Sequence, residues 1–425
     1  MKNVILAIDA VSQSLVNACQ EIEKTLNRKI YGIRLISQEY RNLPSYKEDK
    51  SGLFKEIIVD YDDKKSLQKI FIDLKESILT VSCDDEASVQ SFKKIIPFLP
   101  NIVLPNESTL IWATEKNHMR NMLSSYDETL VPRYIEVNRL KLDESLNELK
   151  KLKFPVIIKP CGLHTSMLVQ KCDNYDDLSK ILESTYAIID EIYSKNLGNG
   201  TATILVEEFI NGDMYSVDAY VSSDGENITF LPAVRVVTSH EMGLKGFYGY
   251  DRILPSGLSK DEENQAQIAT DKAIRALNLR ATTAHVELYK TSTGWKIIEL
   301  GARIGGSREI IYDLSYGIKH HYNDLALRIG GIKPIISYDP VATTICIHIY
   351  PEEEGTIEVI QGLDELNTLD TLKQLRVFAK KGDFAASSEV GGLLSAEIVL
   401  SGSNQEKVIS DAKFVHRTIK VVVKK

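Results

Sequence analysis

The sequence predicts an α/β and α+β protein of three packed domains. These are an N-terminal doubly wound parallel-sheet domain over residues 1–108, a central domain over 109–335 and a C-terminal β-rich domain over 336–425. Three observations predict it. The 425 residues are too many for one ordinary core. Short apolar runs alternate with helical patterns through the first 108 residues, the pattern of parallel strands joined by helices. From about residue 338, short runs rich in β-branched residues follow one another to the end.

In the first domain, NVILAID (3–9), IYGIRLI (30–36), KEIIVDY (55–61) and SILTVSC (77–83) read as strands, and VSQSLVNACQEIEKTL reads as the helix after the first. The turn AIDAVSQS lacks GxGxxG, so nothing here supports a dinucleotide site. Residues 109–125 read as one amphipathic helix capped by Ser108 or Thr109. The strand VPRYIEV, a charged helix (143–152), the short strand FPVIIKP and a longer helix (175–195) follow. Next come the strand TATILVEEFI, a turn at NGD, the strand MYSVDAYVSS and further strands over 228–237. A Gly- and Tyr-rich loop (241–257), a helix (260–277), the hairpin TAHVELYK–TSTG–WKIIEL and a helix after Gly306 complete the domain. The last domain contains VATTICIHIY, TIEVIQG, LRVFAKKGD, GGLLSAEIVLSG and HRTIKVVVK, all read as strands.

Composition excludes several classes. A net charge of −8 argues against nucleic acid as a partner. Five scattered cysteines without CxxC spacing read as reduced thiols rather than as a zinc site. The apolar run at the N-terminus is too short for a signal peptide, and no run is long enough to span a membrane. A cytoplasmic protein is expected.

The chemistry concentrates in the hairpin. A three-residue connection at TSTG would set Glu287 opposite Glu299, with His285, Glu287, Ile297 and Glu299 on one face. Like charges facing across a sheet destabilise it, and a divalent cation between them reverses that sign. Oxygen ligands alone suit Mg²⁺ or Mn²⁺. Two solvated glutamates are the alternative. Beyond Glu299, Arg303 can grip a carboxylate or phosphate with two bonds. Gly305 and Gly306 permit close approach to the backbone at a helix start. A surface ion pair and a plain turn are the corresponding structural readings. His285 on the same face is a candidate substrate contact or a packed strand histidine. Elsewhere, Lys116 in a helix and Lys159 at a strand end precede VEEFINGD, where an extended segment can offer backbone groups to a base edge.

The ordered set Lys116, Lys159, EEFI (207–210), HVE (285–287) and ELGARIGG (299–306) resembles the ATP-grasp superfamily, specifically its carboxylate–amine ligases. The resemblance covers residues 109 to about 332; the ELGAR form is similar to that of L-amino acid ligases, and the last domain looks like that of biotin-carboxylase-like members. It implies an ATP-grasp fold with a mobile lid over about 155–212, and amide formation through an acyl phosphate with release of ADP and phosphate. The substrates would be small molecules: an amino acid or small carboxylic acid, and an amine. It places ATP phosphates on Lys116 and Lys159, with Ser166 of the lid, alongside His164 and Thr165, as a further contact. The adenine edge falls to Glu207, Glu208, Phe209 and Ile210. Metal is implied at Glu287 and Glu299, the intermediate at Arg303, and the acceptor carboxyl at Gly305, Gly306 and Ser307. This sequence departs from the pattern in three places. The lid PCGLHTSM holds one glycine, the expected ribose glutamate is Met214, with neighbouring Asp213 as the candidate ATP-binding replacement, and Gly301 stands where an asparagine often follows the second metal ligand. A biotin-carboxylase-like or purine-pathway ligase, or a catalytically silent nucleotide-binding subunit, are the alternatives, and a homodimer is left open.

Overall fold

A computed structural model of the chain describes residues 2–43, 46–163, 166–195, 202–244, 246, 249–386, 392 and 394–425. Four apolar runs pair as the first sheet: β1 (Val4–Ile8), β2 (Tyr31–Ile36), β3 (Phe54–Ile58) and β4 (Ile78–Ser82). Their order is β3–β2–β1–β4 with every pairing parallel. The order reverses between β1 and β4, so the loops leaving their carboxyl ends diverge and open a crevice there. The helix Gln13–Leu26 starts at Ser12, whose side chain accepts from the Leu15 amide. It covers one face together with the helix His320–Arg328, since Ile5, Ala7 and Leu15 share one cluster with Tyr322, Leu325 and Ile329. A helix from 300 residues away thus completes the N-terminal layer and fixes its sheet to the rest of the molecule.

The single helix expected over 109–125 is two, Glu107–Thr114 and Lys116–Tyr126, and the first begins after Asn106 rather than Ser108 or Thr109. Glu115 is extended between them (φ −104°, ψ 108°). The break is held because the Lys116 amide donates to Cys161 O at 2.9 Å instead of continuing the ladder.

The second sheet, β5 (Tyr134–Val137), β6 (Val156–Pro160), β7 (Gln170–Cys172) and β8 (Ile204–Glu208), is antiparallel in the order β5–β8–β6–β7. The helices Leu142–Leu149 and Tyr175–Lys195 close over it through Leu149, Leu178, Leu182 and Ile189.

The largest sheet has nine antiparallel strands. They are β9 (Asp213–Val221), β10 (Ile228–Phe230), β11 (Val234–Thr238), β12 (Gly249–Leu254), β13 (Thr282–Thr291), β14 (Gly294–Gly301), β15 (Thr343–Ile349), β17 (Leu372–Val377) and β19 (Ala396–Gly402). The order is β14–β13–β9–β11–β12–β15–β19–β17, with β10 on β9. This sheet runs unbroken across residue 335, so the central and C-terminal segments share one floor. β12 lies inside the stretch read as a Gly- and Tyr-rich loop. β16 (Gly355–Gln361), β18 (Phe384–Ala385) and β20 (Lys420–Lys424) form a small separate sheet. The helix Gln405–Thr418 was not expected; Val408, Ala412 and Val415 make its apolar stripe, packed against Ile345, Ile347, Ile398 and Leu400. Among the described residues no helix is long and apolar enough to cross a membrane.

Candidate active site

One cleft of about 1440 Å³ collects residues from every layer: Ser12 and Glu86 beside the β1/β4 crevice, Lys159 and Glu207 of the second sheet, and the cavity face of the nine-stranded floor. Residues paired across antiparallel strands point to the same face. The register therefore lines up Glu299, Glu287 and Ser216 across β14, β13 and β9, and farther along Arg252, Cys346 and Val399 across β12, β15 and β19.

Glu287 does stand opposite Glu299, by a different route from the one expected. The hairpin connection is two residues, Ser292 and Thr293, and a bulge after Glu287 restores the offset. The same bulge reverses the expected parity beyond it. Ile297 pairs with Leu288 and is wholly buried in the core, whereas Ile298 borders the cleft.

Two basic side chains lie against the facing carboxylates: Lys116 Nζ is 3.0 Å from Glu299, and His285 Nε2 is 3.5 Å from Glu287. Burial alone would raise the Glu287 pKa, but His285, Arg308 and Arg252 hold it down to about 2. An oxygen-only pair at the cleft floor fits a hard divalent cation. Gly301 adds no side-chain ligand; a Cβ there would make only ordinary contacts, 3.5 Å from Arg303 and Glu86, so crowding does not explain its absence.

Lys116 reaches the floor because the helix break sets it at the start of the second helix, where its ammonium also donates to Leu163 O at 2.6 Å. Lys159 Nζ lies 2.5 Å from Glu207, and burial, with Arg120 nearby, lowers its pKa to about 8. Arg120 is fully buried, clamps Glu207 through both oxygens and donates to Ile298 O at the bulge, 2.7 Å away. It therefore ties the second sheet to the hairpin. Sequence reading missed it, although it lies four residues after Lys116 and so on the same helix face.

The segment after Glu207 borders the cleft through Glu208, Phe209 and Ile210. The Glu208 carboxylate accepts from the Lys153 amide at 2.8 Å, and the Phe209 amide donates to Pro155 O at 2.9 Å. The Phe209 N–H, expected to meet the adenine edge, is thus already engaged. Asp213 departs from its expected place. It precedes Met214, which faces the cleft, so alternation turns Asp213 outward, 59% exposed and 3.4 Å from Arg235. Ser166 borders the cleft with a left-handed backbone (φ 56°); His164 and Thr165 lie outside the described residues.

Arg303 Nε is 2.6 Å from Glu86, so this arginine joins the N-terminal layer to the cleft wall. Gly305 is tightly enclosed: its N–H donates to Asp218 at 3.3 Å, and His285 packs against it. Asp218, which the sequence reading also missed, is fully buried between His285 Nδ1 (2.6 Å) and His320 Nε2 (2.8 Å). His285 is accordingly held by a carboxylate on each side, and its pKa is raised against the opposing effect of burial. Ser307, in a left-handed conformation at the helix start, donates to Glu397 of β19 at 2.6 Å. Cys346, His348 and Glu397 bring ligand atoms within 4.8 Å of one another. Burial pushes the thiol up to about 12, and Arg252 and Arg308 lie beside His348, so the trio suits a cation poorly.

The family model for the ATP-grasp domain matches residues 152–310, the span from the second sheet through the hairpin to the helix start. The chain carries an ATP-grasp domain. Phosphoribosylamine–glycine ligase of Methanococcus maripaludis is 31% identical over 210 residues, 45% of each chain. Carnosine synthase 1 of Mus musculus is 28% identical over 182 residues, 41% of this chain and 21% of that protein. The chain thus spans less than half the length of the curated relatives it matches. The L-amino acid ligase from Bacillus licheniformis has the same fold, with a TM-score of 0.78 at 18% identity over 100% of this chain and 99% of the other.

Proposed function

We propose that the protein is an ATP-dependent carboxylate–amine ligase that forms an amide through an acyl phosphate. One observation carries this reading: Glu287 and Glu299 face each other at the floor of a cleft into which Lys116 and Lys159 converge from two other elements. The carboxylate pair would hold Mg²⁺ or Mn²⁺, which neutralises phosphate charge when bound. Lys116 and Lys159 reach the phosphates of ATP as fixed charges, Lys159 being oriented by Glu207 and Arg120. Phe209 and Ile210 border the base. A carboxylate oxygen of the acid attacks the γ-phosphorus and the bond to ADP breaks. The amine then attacks the carbonyl carbon, the carbon–oxygen bond to phosphate breaks, and the amine proton is lost. Arg303 and the Gly305–Ser307 turn border the same cleft, and the acid would sit beside them. Ile157, Lys159 and Glu207 of the second sheet border this chamber, and closure of that sheet would limit water, which an acyl phosphate requires.

Similarity to phosphoribosylamine–glycine ligase supports a purine-pathway amine as the second reading of the same chemistry. The test is a phosphate-release screen over pairs of amino acids, small carboxylic acids and amines, phosphoribosylamine included. ADP and phosphate should appear only when acid and amine are both present. Nucleotide binding without turnover across the whole screen would favour a silent nucleotide-binding subunit.

A further inference from the structure

Five lysines and arginines bordering the cleft already hold acids: Lys116 with Glu299, Lys159 with Glu207, Arg303 with Glu86, Arg376 with Glu397 and Arg34 with Glu56. Arg252 and Arg308 do not. Among the described residues neither makes an ion pair. Arg308 is 2% exposed, and its guanidinium meets only neutral oxygens, Ser216 Oγ at 2.8 Å and Gly306 O at 2.9 Å. Arg252, half-buried on β12, donates to Gly249 O at 3.1 Å. Burial weakens Arg308's hold on its proton; Asp218, which does not contact it, opposes that effect and Arg252 adds to it, so the two arginines feel each other. A buried cation without a counter-charge is costly, and two together more so. Glu287 is the acid both of them feel, and in the loaded site its oxygens would face the metal.

Position separates Arg252 from the nucleotide, whereas Arg308 bonds Ser216 on β9, the strand beside Glu287. β12 is three strands from β13 in the sheet order β13–β9–β11–β12, about 14 Å at ordinary strand spacing. It lies on the side of Glu287 opposite Glu299, whose carboxylate meets Lys116. Ser307 and His348 border the same end of the cleft.

We infer that Arg252 and Arg308 form a second anion pocket, which binds a substrate carboxylate that is not consumed in the reaction. The inference rests on the ligase reading and narrows it: at least one substrate carries a carboxylate besides the one that is activated. That group belongs either to the amine, as in an α-amino acid acceptor, or to the acid, as in a dicarboxylate. Planar guanidinium forks match either.

The test uses the full-length protein with Mg²⁺ and a non-hydrolysable ATP analogue, and reads binding by calorimetry. One arm compares α-amino acids with their α-amides; the other compares dicarboxylates with their half-amides. In one arm, replacing the carboxylate by carboxamide should weaken binding at least about 30-fold, the size of an unpaired buried charge. Arg252→Gln should abolish that difference while the folded variant still binds the ATP analogue. Arg308→Lys, which keeps the charge and loses the fork, should reduce it. Loss of the reacting carboxylate also weakens an amide, but equally in Arg252→Gln and the native protein. Equal binding of acid and amide in both arms, or selectivity undiminished in folded Arg252→Gln, overturns the pocket. Selectivity with no phosphate release from any pair would sustain the pocket and sink the ligase reading.

Discussion

Gly305 and Gly306 are neighbours in sequence with opposite surroundings, and alanine at each should separate packing from composition. A Cβ at Gly305 would lie 2.4 Å from His285 Nδ1, 2.5 Å from His285 Cε1 and 2.7 Å from Arg308 Cγ. These contacts fall short of the ordinary 3.4 Å limit by 0.7 to 1.0 Å. Neither neighbour yields readily: Asp218 holds His285 at 2.6 Å, and Ser216 holds Arg308 at 2.8 Å. A Cβ at Gly306 meets nothing within 4 Å, and its φ is not positive. Overpacking of a fixed site costs about 1–3 kcal/mol. A compatible Gly→Ala change gains about 0.4–1 kcal/mol by restricting the unfolded chain. Gly305→Ala should therefore lower unfolding free energy by about 1–3 kcal/mol, while Gly306→Ala leaves it equal or slightly raised. Guanidinium denaturation followed by tryptophan fluorescence is a direct assay, because Trp295 lies in the core behind the hairpin and Trp112 packs against it. Equal loss at both positions, or loss only at Gly306, would refute the argument.

Glu207→Ala strands Arg120 and Lys159 as buried charges, so the same denaturation should show a loss of about 3–5 kcal/mol; a change under about 1 kcal/mol would contradict the clamp. Glu299→Ala, at a half-exposed carboxylate, should leave the protein folded and cut divalent-dependent turnover at least about 100-fold, read by phosphate release against Mg²⁺ concentration. His321 lies 2.7 Å from Glu309 and 3.3 Å from Asp84; burial opposes its charge, yet these acids raise its pKa to about 10. With an unfolded value of about 6.5, its contribution is full below that pH and is lost as pH rises through about 10. The stability gap between the native protein and His321→Gln should narrow across that window, and a gap that widens would reverse the assignment.

The parallel N-terminal sheet was legible because its strands are continuous apolar runs separated by helical periodicity. The facing glutamates came out opposite each other because two misread features cancel: the connection is one residue shorter than expected, and the bulge after Glu287 restores the offset. Ile297 was misplaced because a β-bulge leaves no trace in alternation. The break at Glu115 was invisible for a related reason: its cause is a hydrogen bond from the Lys116 amide to Cys161 O, a partner distant along the chain. Arg120, Asp218 and Arg308 share the deeper limit. Their roles come from partners on other strands and helices, and a buried charge looks like a solvated one until the fold assembles around it.

The central claim is that the acid is activated by phosphoryl transfer from ATP. With the substrate pair returned by the phosphate-release screen, the acid is labelled with ¹⁸O in its carboxylate and the released phosphate is analysed by mass spectrometry. One labelled oxygen in the inorganic phosphate is the predicted result, since that oxygen attacks phosphorus and departs with it. Unlabelled phosphate beside a labelled amide would contradict the account.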